Sequence, residues 1–273
     1  MSLLAQGRTA EIYAHEETDK IIKLFRSGFP EEAIRQEFAV SQQVCGLGVD
    51  APRLFHRVLT DQRHGIVYER IEGSTMLRHL TGKPWLVWKL SRTMAELHAR
   101  LHRIELSDAK GYAWRRLAQE LEHQIAAAPL LGEDEKSAVI EALKRLPDGH
   151  RLCHGDFHPD NVVLGKKNWV IDWMTGTRGN PAGDAARTLV LLRCAVLPEE
   201  MPIVKKCIVQ AMRHLIAKVY FTRYSQLSGL SSNQIEAWVL PVAAARLNEW
   251  IPQGEKLRLL DVVREKLGKP KRA

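Results

Sequence analysis

No stretch of this sequence approaches the ~20 uninterrupted apolar residues that a membrane span requires, so no membrane partner is expected. The opening segment, MSLLAQGRTAEIY, has no basic leader followed by a long apolar core, and does not read as a signal peptide. The four cysteines (Cys45, Cys153, Cys194 and Cys207) are scattered and show no Cys-x-x-Cys spacing, which reads as reduced thiols in a cytoplasmic protein. Internal repeats and low-complexity linkers are missing too. Acidic residues run short only late in the chain. Residues 173–273 carry 16 basic and 8 acidic side chains, whereas residues 1–172 carry 24 of each, so the whole net charge of +8 lies in the last part. Such asymmetry suits an anionic partner, but a solvated helical face with a basic tail explains it as well. No motif supports nucleic acid, and none is expected as a partner.

What is present is ordinary for a globular protein: 273 residues, 45% hydrophobic and 26% charged, enough for one large domain or two modest lobes. Disorder is expected only in the last residues, GKPKRA. Up to about residue 70 the pattern is β-rich with one helix. EIYAHEETDKIIKLF reads as a hairpin around a polar turn, and PRLFHRVLT and GIVYERI as further strands. PEEAIRQEFAVSQQVCGLG reads as a helix opened by Pro30, with Ile34, Phe38 and Cys45 on its stripe and Gly46 as the stop. From Pro84 the period turns helical, with Val87, Leu90, Met94, Leu97, Leu101 and Ile104 on one face. Two helices near 112–127 and 133–146 follow, then a β-hairpin, then helices again after Asp184, ending in two terminal ones. The expectation is an α+β chain: a small β-rich lobe over 1–70, and a larger, mainly helical lobe over 71–273 with the hairpin inserted in it.

That hairpin region, RLCHGDFHPDNVVLGKKNWVIDW, crowds histidines, aspartates and asparagines between apolar runs. A buried carboxylate costs several kcal/mol unless something pairs with it. NVVL and WVIDW are strand-like around the turn GKKN, so a hairpin would bring Asn161 and Asp172 to one mouth, with Asp156 in the loop just before it. Hard oxygen donors, few of them from protein, suit magnesium with phosphate and water completing its shell. The alternation His154, Asp156, His158 could instead suggest zinc, but leaves Asn161, Pro159 and Asp172 unexplained. A packed His154 bracing the loop is the simpler reading.

HGDFHPDNVVL with VIDW resembles the signature of the aminoglycoside phosphotransferase and choline kinase-like family, relatives of the protein kinases. The spacing Asp, four residues, Asn, then a later Asp is kept, with His154-Gly155 where protein kinases carry His-Arg. The resemblance spans residues 5 to 195 or so. It implies a bilobal protein-kinase-like fold and an ATP- and Mg²⁺-dependent transfer of phosphate to a small-molecule hydroxyl. It makes Asp156 the catalytic carboxylate and Asn161 and Asp172 the metal ligands. Lys23 would hold the α/β-phosphates and pair with Glu37. Glu31 and Glu32 compete for that pairing but sit in the first helical turn, where the helix dipole explains them. YERIEG resembles the hinge, so backbone groups of Glu69 and Ile71 would meet adenine, and His158 would stand near the γ-phosphate. Asp184 would brace the catalytic loop.

Two departures stand out. The nucleotide loop AQGRTAEIY has one glycine, leaving Gly7 and Thr9 to meet phosphate, and Trp173-Met174 follows Asp172 instead of Phe-Gly. The second suits small-molecule kinases. Two other readings stay open: a catalytically silent nucleotide-binding relative acting as an interaction module, and a basic-tailed protein- or RNA-associated kinase. The acceptor is not legible. The basic last part argues against the acidic pocket a polycationic aminoglycoside favours. Trp238 and Trp250 could cage a quaternary ammonium, but core packing is the preferred reading of both. Nothing in the sequence reports the oligomeric state.

Overall fold

The computed structural model describes residues 2–107, 112–197 and 200–269, so the last part of the basic tail, 270–273, lies outside the described residues. The chain divides into two compact units, Met1–His79 with Pro159–Gly176, and Leu80–His158 with Thr177–Ala273. The first is β-rich and the second mainly helical. Among the described residues, no helix is long and apolar enough to cross a membrane.

In the first unit, strands β1 (Leu3–Gln6), β2 (Ala10–Ala14), β3 (Lys20–Phe25), β4 (Leu54–Thr60) and β5 (Arg63–Glu69) form an antiparallel sheet in the order β1-β2-β3-β5-β4. Strand alternation splits KIIKLF into two faces. Ile22 and Leu24 pack with Val67 on one. Phe25 packs with Ile34, Ile66 and Tyr68 on the other, which is covered by helix α1 (Glu31–Cys45). Lys23 is two residues from Phe25 and so points to the α1 side. The buried stripe of α1 is Ile34, Glu37, Val40, Ser41 and Val44. It is rotated from the stripe expected from sequence: Cys45 is exposed and Phe38 only half-buried. The polar Glu37 faces inward, and apolar counting alone misplaces the stripe.

The hairpin of β8 (Val162–Leu164) and β9 (Asn168–Val170) groups with this first unit. The Val170 N–H donates to Asp50 O at 2.8 Å, and strand β6 (Ser74–Thr75) pairs with β8 to make a three-stranded sheet in the order β6-β8-β9. Gly165 permits this, since a Cβ there would come within 2.1 Å of the Glu72 carbonyl oxygen.

In the second unit, helix α3 (Val87–Leu101) follows a 3₁₀ turn over Pro84–Leu86, itself preceded by α2 (Met76–Gly82), which spans the unit boundary. Helices α4 (Leu117–Ala126) and α5 (Glu133–Lys144) come next, then strand β7 (Arg151–Cys153), which pairs with β10 (Thr177–Gly179). Helix α6 (Pro181–Cys194) starts at Asn180, whose side chain caps the Ala182 N–H, with Pro181 in the first turn. Helix α7 (Ile203–Ser228) packs against α3 and ends at Gly229 in a left-handed conformation. Three helices close the chain where two were expected: α8 (Ser232–Ala237), α9 (Val239–Arg246) and α10 (Gln253–Lys266).

Candidate active site

Lys23 lies at the middle of β3, and its ammonium donates to Glu37 Oε1 at 2.7 Å and to Asp172 Oδ1 at 3.0 Å. Burial alone would push an ammonium down; the charges of Asp172 and Glu37 outweigh it and hold Lys23 above the usual lysine range. Glu37 is 1% exposed. Burial raises its carboxyl from the ordinary range, against the pull of Lys23. The Tyr68 hydroxyl donates to the same Glu37 oxygen at 3.0 Å and lies 3.2 Å from Ser41 Oγ. Tyr68 and Ser41 were not among the expected site residues. Their signal was positional: both face α1 or its sheet partner at the level of Glu37. Glu31 takes no part, pairing with Arg35 at 2.8 Å.

Asp172 follows β9 with φ +67°, in the left-handed region that Asp tolerates better than most residues. The Ile171 N–H donates to the Asn161 carbonyl at 3.0 Å, so the chain just before Asp172 is tied to Asn161. Asn161 itself is buried. The oxygens of Asn161 and Asp172 are the kind of donor a hard divalent cation takes.

Gly7 and Thr9 lie in the β1–β2 turn, where the Gly7 N–H donates to Ala10 O at 2.8 Å. Arg26 secures the turn from outside: its side chain donates to the Gly7 and Arg8 carbonyls at 3.0 Å each, and its N–H to Thr9 O at 2.9 Å. Glu69 ends β5. Its N–H is spent on Arg53 O at 2.8 Å and its carboxylate on the Arg53 N–H at 3.0 Å, while half-buried Ile71 lies just beyond the strand.

Asp156 and His158 belong to the second unit. His158 Nε2 stands 3.4 Å from Asp156 Oδ2, and Arg187 Nη2 stands 3.9 Å from Asp156 Oδ1. Burial works against the charge on Asp156, but the His158 hydrogen bond and the nearby His158 and Arg187 charges outweigh it. The carboxyl is held well below the usual range. The loop backbone is clamped on both sides. His154 Nδ1 accepts from the Asp156 N–H at 3.1 Å. Asp184 accepts from the N–H groups of His154 at 2.5 Å and Gly155 at 2.9 Å. Thr188 Oγ1 donates to Phe157 O at 2.9 Å. Gly155, with φ +77°, makes the turn that aims both N–H groups at Asp184.

Asp184 has further partners that sequence reading missed. His98 on α3 and His102, which caps that helix's C-terminus, each place Nε2 on its Oδ2, at 3.0 and 3.2 Å. Tyr220 and Tyr224 on α7 place their hydroxyls on the two Nδ1 atoms, at 2.7 and 2.6 Å. Burial and the neighbouring His102 push His98 down to about 3, so it is neutral. The neutral His98 ring accepts from Tyr220 and donates to the carboxylate. The cluster has the composition of a metal site, but every candidate ligand nitrogen is already engaged. The available signal was two i, i+4 pairs, His98/His102 and Tyr220/Tyr224, on helices that pack together. Trp238 is core, against Gly183, whereas Trp250 is 85% exposed, so packing accounts only for the first.

Residues 1–201 match the sequence profile of a family described as the phosphotransferase enzyme family. A search of curated proteins returned no match. Among solved structures, a thermostable aminoglycoside phosphotransferase APH(4)-Ia variant in ternary complex with AMP-PNP and hygromycin B superposes with a TM-score of 0.68 at 14% identity, covering 98% of this chain and 94% of that one. An aminoglycoside-3'-phosphotransferase of type VIII gives 0.60 at 17%, covering 89% and 91%. APH(3'')-Id from Streptomyces rimosus gives 0.54 at 15%, covering 86% and 89%. At these identities the likeness is one of fold.

Proposed function

Because the chain belongs to the phosphotransferase enzyme family, we propose that it moves the γ-phosphate of ATP to a hydroxyl of a small molecule. The observation that carries this reading is the single lysine that bridges two carboxylates, Glu37 from α1 and Asp172 from the end of β9. A purely structural ion pair needs one partner. A lysine kept charged by Glu37 and lying against a half-exposed aspartate is placed to receive phosphate oxygens when Asp172 turns to another cation.

In this reading residues 1–70 form the nucleotide lobe and 71–273 the catalytic and acceptor lobe. Lys23 fixes the α/β-phosphates, oriented by Glu37. In the β1–β2 turn the Thr9 hydroxyl meets phosphate, and Gly7, whose N–H is used on Ala10 O, shapes the turn that lets the phosphates approach. Adenine is met by the Glu69 carbonyl, since the Glu69 N–H is already used, and by the Ile71 backbone. Asn161 and Asp172 hold Mg²⁺, which when bound neutralises charge on the phosphates. Asp156 orients the acceptor hydroxyl and takes its proton. With its carboxyl held so low it is a weak base, which suits a loose transition state where the proton leaves late. His158 stands by the γ-phosphate as a hydrogen-bond donor. The four free cysteines fit a cytoplasmic setting.

The test is a screen for ATP consumption against aminoglycosides, choline-type alcohols, sugars and hydroxyl amino acids. Asp156→Ala should lower turnover by about 10³-fold or more while ATP still raises the melting temperature. Normal turnover in that variant would refute the mechanism. ATP binding with no acceptor consumed would leave a silent nucleotide-binding module.

A further inference from the structure

We propose that Arg187 is a positioning residue for Asp156 and that Glu249 holds Arg187 in place; this rests on the reading of Asp156 as the carboxylate that orients the acceptor. Helix α6 presents residues 184, 187 and 188 on one face, the i, i+3, i+4 pattern. Asp184 and Thr188 fix the loop backbone on either side of Asp156 but are not its carboxylate's partners. Arg187 acts on both. Its Nε donates to the Gly155 carbonyl, one residue before Asp156, while Nη2 stands 3.9 Å from Asp156 Oδ1. That distance is too long for a hydrogen bond but short enough for charge to act. Arg187 therefore fixes the charge and rotation of the carboxylate from its Oδ1 side.

The guanidinium is itself directed. Nη1 pairs with Glu249 Oε1 at 2.6 Å, and Glu249 Oε2 accepts from Arg246 Nη1 at 2.5 Å. Arg246 in turn gives Nε and Nη2 to Glu255 Oε1 at 3.0 and 2.6 Å. Charges of alternating sign thus run from the catalytic loop through the end of α9 into α10. Both arginines and Glu255 are buried or nearly so, with side-chain exposures of 12%, 5% and 6%. In such surroundings a planar, five-donor fork holds direction in a way that a lysine or a water does not. The groups facing Asp156 are His158 at Oδ2, Arg187 at Oδ1 and His154 at its backbone N–H. With Arg187 gone, the contact of Oδ2 with His158 is no longer balanced at Oδ1, and the carboxylate turns towards His158.

The experiment compares the full-length wild type with Arg187→Met, Arg187→Lys, Glu249→Gln and Asp156→Asn. MgATP turnover is followed with water as acceptor and with any acceptor the screen identifies. Arg187→Met should lower kcat by about 10²-fold, the scale expected for a misplaced catalytic group, with KM for ATP within about twofold. Arg187→Lys should recover part of the loss, and the folded Glu249→Gln should lose about tenfold. A folded Arg187→Met with wild-type kcat overturns the proposal. So does a loss that tracks melting temperature and leaves Glu249→Gln untouched. If the wild type and Asp156→Asn alike consume no ATP, it is the phosphotransferase reading that fails. The position of Asp156 is then read from nucleotide-free crystal structures of wild type and Arg187→Met. A carboxylate turned towards His158 supports the positioning role, and an unmoved one overturns it.

Discussion

Lys23 shows how one side chain ties electrostatics to chemistry. Its side chain is 12% exposed and Glu37's is 1%, so neither charge is well solvated. Removing one member of a buried pair strands the other, at about 3–5 kcal/mol. Lys23→Met should therefore destabilise the first unit by about 3 kcal/mol, because Glu37 keeps only the Tyr68 hydroxyl as a donor. Adding Glu37→Gln to that variant removes the stranded charge and should restore more than half of the loss, measured by urea unfolding. Equal stability of the single and double variants would show that Glu37 is not the source of the cost. Nucleotide binding should stay lost in both, which separates the stability role of the pair from its proposed chemical one.

Helix α6 carries the second unit's machinery because its capping and its inward face are both written locally. Asn180 and Pro181 set where it starts, and that start places Asp184, Arg187 and Thr188 over the loop. Thr188→Val keeps the volume but leaves the Phe157 carbonyl without its hydroxyl donor. A buried acceptor left unpaired costs about 1–3 kcal/mol, and the loop should lose order next to Asp156. The expected outcome is that loss in unfolding free energy together with a lower kcat at unchanged KM for ATP; unchanged kcat would confine Thr188 to stability. Sequence reading singled out Asp156, Asn161 and Asp172 as candidates because they sit close together in a patterned segment. Arg187 and Glu249 escaped it: they lie far apart in the chain, and an arginine on a helix reads as solvated by default. The orientation of α1 was missed for the opposite reason. Its inward face includes a charge, Glu37, and only the partner on β3 reveals why.

Across the whole molecule, the most revealing charge is one that is absent. His98 is fully buried among Asp184, His102, Tyr220 and Phe157, and its ordinary pKa of 6.5 is pushed down to about 3, chiefly by burial. In the unfolded chain the same ring takes up a proton as pH falls through 6.5, and the folded protein does not until about 3. The unfolded state thus binds more protons throughout that window, so stability falls as pH falls, by about 1.4 kcal/mol per pH unit for one such group. The aspartates act lower down. Asp156 and Asp184 are held below 3.8, so the stability they contribute is present above that value and is lost as pH falls through their depressed pKa values. Below pH 6.5 the contribution that His98→Gln removes is that of His98, while Glu37, raised above 4.5 by burial, acts with the opposite sign. His98→Gln keeps an amide able to donate to Asp184 but cannot titrate. Urea unfolding at several pH values from 6.5 down to about 5 should show the wild type losing more stability than His98→Gln, by about 1 kcal/mol per pH unit. The same slope in both proteins would mean that the buried His98 ring is not what makes stability depend on pH in this window.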